Sequence, residues 1–89
     1  MVTSIILINA ERTHINDVAE RLAEISSISE VYSVSGNYDL IAIVRVKSND
    51  ELSDLVTNKM KEIGGITRTE SMLAFRAYSR HDLDAMFSL

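Results

Sequence analysis

Residues 35–40, Ser-Gly-Asn-Tyr-Asp-Leu, join two apolar stretches and bring a glycine, an amide, a phenol and a carboxylate together. A turn built on Gly36 and Asn37 can point successive backbone N–H groups at one spot, where a carboxylate would bind. Asp39, next to it, offers the opposite charge, and a free α-amino acid needs both kinds of partner a few ångströms apart. The same residues also make an ordinary turn in which Asp39 only satisfies loop amides, so spacing alone leaves both readings open. Further on, Thr67, Thr69 and Ser71 alternate along one stretch, which puts three hydroxyls on one face of a strand. Such hydroxyls either meet a hydrogen-bond partner or reflect plain β-propensity on an edge strand. Arg68, Arg76 and Arg80 could hold an anion, but charges that guard a strand edge are the simpler reading. His14 and His81 stand far apart with no visible partner and receive no role. No general base is paired with a nucleophile or an orienting group, and there is no phosphate loop; Asp39 with Tyr38 is the nearest approach. There is no cysteine, no metal-ligand spacing and hence no expected metal or cofactor.

Composition narrows the classes further. At 89 residues, 46% hydrophobic and 25% charged, the chain is one small globular domain with a modest core. A formal net charge of -4 argues against a phosphate-binding surface, so nucleic acid is not expected as a direct partner. The apolar run Ile5-Ile6-Leu7-Ile8 lacks a basic leader and a cleavage site, which points to a cytoplasmic protein with no membrane span.

The elements that must carry these residues follow from hydrophobic period. Residues 3–9 read as a strand; Ile15, Val18, Ala19, Leu22 and Ile25 then lie at helical spacing, with Thr13 placed as N-cap. Residues 31–35 and 40–47 read as a hairpin closed by a tight primed turn at Gly36-Asn37. Ser48 and Glu51 have capping-box spacing before a helix bearing Leu52, Leu55, Val56, Met60 and Ile63, which Gly64-Gly65 ends. A long strand over 66–78 follows, and Ser79 with Asp82 could cap a short terminal helix reaching Phe87. At an offset of 38 the chain repeats itself, matching Ile5 with Ile43, Val18 with Val56, Leu22 with Met60 and Ile28 with Ile66. Two strand-helix-strand units imply an α+β, ferredoxin-like βαββαβ domain over 1–78, with a four-stranded antiparallel sheet whose first and third strands are central, and a helical tail over 79–89.

Both central strands are apolar on both faces: Ile6 and Ile8 against Ile5 and Leu7, and Leu40, Ala42, Val44 and Val46 against Ile41 and Ile43. Two helices cover one face only, so a second copy is expected to cover the other, unless the terminal helix folds back over it.

The run 31–40, then Val44-Arg45-Val46, then residues 65–71 resemble the effector-binding domain of the leucine-responsive regulator (Lrp/AsnC) family of prokaryotic transcription regulators. Gly-x-Tyr-Asp between two strands is the most specific part of the likeness, which covers residues 1 to about 78. The resemblance implies a ferredoxin-like domain that pairs through its sheets and assembles its dimers into rings binding small amino acids between them. It nominates Gly36, Asn37, Tyr38 and Asp39 in the turn, and Thr69 and Ser71 on the last strand, as ligand contacts. Family regulators carry a helix-turn-helix region before this domain, whereas here the sequence starts at the first strand. The expectation is a stand-alone, non-enzymatic amino-acid-binding module. It would form homodimers and higher oligomers, joining full-length relatives to modulate transcription. Two alternatives share the topology: a small dimeric cofactor-free monooxygenase, and an ACT-type domain, whose edge-to-edge sheet pairing suits the two-sided strands less well.

Overall fold

A computed structural model describes residues 1–78 and residue 80. The chain forms β1 (Val2–Ala10), α1 (Ile15–Ala23), β2 (Ile28–Ser33), β3 (Leu40–Val46), α2 (Asn49–Asp54) and β4 (Ile66–Leu73). The strands make one antiparallel sheet in the order β2-β3-β1-β4, with β1 and β3 central as the repeat requires. In the β1–β3 ladder Ile5 lies opposite Ile43, its own counterpart in the repeat, so a pseudo-twofold axis passes through that pair. Each outer strand also carries a register shift at the equivalent place, between Ile28 and Glu30 in β2 and between Ile66 and Arg68 in β4. The extra residues, Ser29 and Thr67, are 38 apart in sequence.

The core lies between the helices and one face of the sheet. Ile6, Ile8, Leu40, Ala42 and Val44 from the central strands meet Val18 and Leu22 of α1 and Leu55 and Met60 of the second helix, all of them buried. Ser4, the polar residue buried among them, donates its hydroxyl to the Met72 carbonyl at 2.8 Å, so its burial leaves no polar group unmatched. On the opposite face Ile5, Leu7, Ile41 and Ile43 stay partly exposed.

Several boundaries differ from the sequence reading, each for a physical reason. Thr13 caps no helix: it falls in a 3-10 turn, Arg12–His14, its hydroxyl lies 3.1 Å from His14 Nδ1, and α1 begins without a side-chain cap. The second helix does begin at Ser48, whose Oγ accepts the Glu51 N–H at 3.2 Å, while Glu51 Oε2 accepts the Lys47 N–H at 3.1 Å. Beyond Asp54 this helix widens into a π turn, Leu55–Lys59, and tightens into a 3-10 turn, Met60–Glu62. The wide turn brings Leu55 and Met60, five apart, to the same core face. β2 starts earlier than expected, at Ile28, and β4 stops at Leu73 rather than continuing to residue 78. No strand of the sheet runs alongside β4 past Thr3, whose carbonyl takes the Ala74 N–H at 2.9 Å. The expected terminal helix over 79–89 lies outside the described residues apart from residue 80.

Candidate functional site

The connection between β2 and β3 is a loop over 34–39 rather than a two-residue turn. The Val34 N–H donates to the Asp39 carbonyl at 3.0 Å and closes its base. Gly36 has φ +105, a conformation that side chains rarely adopt, and nothing lies within 4 Å of where its Cβ would stand.

Three bonds tie this loop to the end of β1. The Asp39 N–H donates to the Ile8 carbonyl at 3.0 Å, the Ala10 N–H donates to Asp39 Oδ2 at 2.9 Å, and Asn9 Nδ2 donates to the Asn37 carbonyl at 2.9 Å. Asp39 therefore commits one carboxylate oxygen to backbone, in keeping with the turn-satisfying reading of that residue. Tyr38 reaches further, past β1, and donates its hydroxyl to Glu70 Oε2 on β4. That hydrogen bond, more than burial or the Glu70 charge, pushes the Tyr38 phenol above its usual pKa, while Arg68 pulls it the other way.

β4 presents two faces with different partners. Arg68, Glu70 and Met72 pair with Asn9, Leu7 and Ile5 and so share the helix-free face with Tyr38's hydroxyl. Thr69 and Ser71 pair with the buried Ile8 and Ile6 and so belong to the helix-covered side. The loop residues are thus brought together with one another and with Glu70, but within one copy Thr69 and Ser71 do not join them. Nor are these hydroxyls buried: Thr67, Thr69 and Ser71 are exposed, because the helices lie over the other strands, and the register shift at Thr67 breaks the strict alternation with Thr69. Thr69 instead lines a groove of about 300 Å³ with Val56, Met60, Lys61, Ile63 and Ile66.

Sequence reasoning passed over Glu70 and took Arg68 for an edge guard. The signal available was the alternation itself, which puts both opposite Thr69 and Ser71 in facing. Among the described residues no three metal-ligating side chains come together, and no helix is long and apolar enough to cross a membrane.

A four-stranded antiparallel sheet with two helices on one face and a glycine-bearing loop pinned at its end defines an α+β domain of the ferredoxin-like fold. The chain belongs to the Lrp/AsnC ligand-binding domain family, which it matches over residues 3–83. It is similar to TTHA0845 from Thermus thermophilus, with a TM-score of 0.84 and 45% identity, covering 90% of this chain and 100% of that one. It also resembles the feast or famine regulatory protein Rv3291c from M. tuberculosis, solved in complex with L-methionine; the TM-score is 0.76 at 26% identity, covering 90% of this chain and 54% of that one. An uncharacterized HTH-type transcriptional regulator of Pyrococcus horikoshii, PH1916, is 37% identical over 59 residues, which is 66% of this chain and 39% of the regulator's own length.

Proposed function

We propose that this domain is an amino-acid-sensing module that works as an oligomer and modulates transcription by assembling with relatives. The similarity to a regulator solved with L-methionine supports the ligand class. The assembly is supported by the uncovered sheet face, where Ile5, Leu7, Ile41 and Ile43 sit side by side in paired strands. Closing two such faces on each other at a standard interface size of roughly 800 Å² per partner would add substantially to so small a core.

In this reading the loop residues Gly36, Asn37, Tyr38 and Asp39 of one copy contact the effector, and Thr69 and Ser71 reach it from a neighbouring dimer. Facing supports the division, since the Tyr38 hydroxyl meets Glu70 on the helix-free side of the sheet and Thr69 and Ser71 lie on the other side. An effector lodged between dimers favours one assembly over another, and shifts that equilibrium only as far as its preference between them.

Native mass spectrometry of the full chain, with and without an equimolar mixture of the twenty protein L-amino acids, tests this. The expected result is an even-numbered assembly that gains amino-acid mass or changes size when the mixture is added. A monomer, or a dimer that takes up nothing from the mixture, would sink the reading.

A further inference from the structure

Past Leu73 the chain leaves the sheet while still carrying large apolar side chains. The Ala74 N–H donates to the Thr3 carbonyl, and among the described residues no later backbone bond ties residues 75–78 to β1. Continued in the β4 register, Phe75 would lie opposite the half-buried Val2. Its ring is instead 98% exposed, and that of Tyr78 is 78% exposed. Of the six large hydrophobic side chains exposed among the described residues, five gather here: Met1, Met72, Leu73, Phe75 and Tyr78. Single exposed apolar residues are ordinary on any surface, but a cluster confined to one end of a sheet marks a contact.

Between this arm and the start of β1 lies a cleft of about 210 Å³, lined by Met1, Thr3, Ala74, Phe75, Arg76 and Ala77. A cavity of about 150 Å³ holds a benzene ring, so the cleft has room for an aromatic side chain. Met1 and Thr3 line it and Val2 between them does not, which puts the cleft on the side of β1 that also bears Ile5 and Leu7. It therefore continues the helix-free face at its rim, next to Ile5 and its partner Met72.

We propose that residues 74–78 are an exchanged arm: when two copies close their helix-free faces, Phe75 and Tyr78 of each pack at the cleft of the other. This rests on the oligomeric part of the proposed function and deepens it by naming the segment that clasps the pair. A second copy fits better than any other occupant because the cleft and the apolar face are continuous, so whatever covers one meets the other. Area points the same way. Two buried aromatic rings contribute roughly 300–500 Å², a large part of the roughly 800 Å² that a standard interface takes from each partner. Twofold symmetry repeats the contact, each arm meeting the same cleft on the other copy. The effector loop is left free, since it meets β1 at Ile8 and Ala10, roughly 17 Å along the strand from Thr3, where the arm departs.

Sedimentation equilibrium of the full chain tests the arm. Wild type is expected as a dimer or a multiple of one. Phe75→Ala and Tyr78→Ala should each weaken the dimer roughly thirtyfold or more, the loss that marks a buried aromatic anchor. Both rings are exposed in the single copy, so circular dichroism should show both variants folded. The chain has no cysteine, which lets proximity be read directly. Thr3→Cys and Tyr78→Cys chains, mixed under mild oxidation, should form a disulfide joining one variant to the other, a bond that needs Cα atoms within about 7 Å. Wild-type dimer affinity in either alanine variant, a loss confined to assemblies above the dimer, or no joined pair of the two cysteine variants would overturn the arm alone. A wild-type chain that stays monomeric at every concentration would bring down the oligomeric reading and the arm with it.

Discussion

Helices α1 and α2 hold equivalent places in the two halves of the chain, yet their first turns are secured in different ways. α2 is started locally, by Ser48 and Glu51 three residues apart, each satisfying a backbone N–H at the helix entrance. α1 has no such cap. The entrance to its half is held by the other one: the Glu11 N–H ahead of it donates to the Gly65 carbonyl at 2.8 Å, and Gly65 passes so close that a Cβ there would stand 2.9 Å from His14 Cβ and 3.1 Å from Val18 Cγ2. One helix start is thus capped within a short segment, and the other, which has only the local bond from the His14 N–H to the Glu11 carbonyl, is also held by the second half of the chain.

The largest effect should come from breaking the docked start. Gly65 has φ +102 as well as no room, so Gly65→Ala is expected to cost more than the about 1–3 kcal/mol of backbone strain alone. Gly36→Ala, at φ +105 with nothing within 4 Å, should cost only that strain, and urea unfolding followed by circular dichroism compares the two. Equal losses would mean that the close approach to α1 carries no weight.

The local start gives a smaller change. Ser48→Ala should destabilise by about 1 kcal/mol, as removal of an N-cap usually does, whereas Thr13→Ala should fall within about 0.5 kcal/mol of wild type. A loss at Thr13 as large as that at Ser48 would remove the contrast between the two helices.

The smallest effect sharpens a second contrast, between the two edges of the sheet. Both phenols are pushed above 10.0, Tyr38 by its bond to Glu70 and Tyr32 by its bond to Glu30. A raised phenol pKa means that the neutral form is favoured in the folded state. The contribution is therefore complete below the ordinary tyrosine value and disappears as pH rises through the raised one. Near neutral pH, Tyr38→Phe and Tyr32→Phe should each unfold slightly earlier than wild type, and the gap should close as the solution becomes strongly alkaline. Hydrogen exchange separates the edges: Tyr38→Phe should speed exchange of the Val34 amide that closes the loop and of the Asp39 amide that ties it to β1, and Tyr32→Phe should not.

Much of this architecture is legible along the chain. Helical spacing and β-alternation place the elements, the offset of 38 exposes the repeat, and the two-sided apolar pattern of residues 3–9 and 40–47 marks the central strands before any contact is known. The candidate loop is legible too, because Gly36 and its neighbours are turn residues whatever surrounds them. The site around it is less so. Thr69 and Ser71 could be read as hydroxyls of one face, but not as hydroxyls on the side away from Tyr38, since that depends on which residues of β1 they pair with.

Short-range sterics and periodicity act within a segment, so the elements, their repeat, the Ser48 cap and the loop glycine are all written into the order of residues. Contacts between residues far apart in the chain arise only when the segments assemble. Asp39 finds the Ala10 N–H, Gly65 finds the entrance to α1, and Tyr38 reaches Glu70 past the strand between them. Each of those contacts joins groups that ladder register brings together, and register is a property of paired strands that no single segment contains.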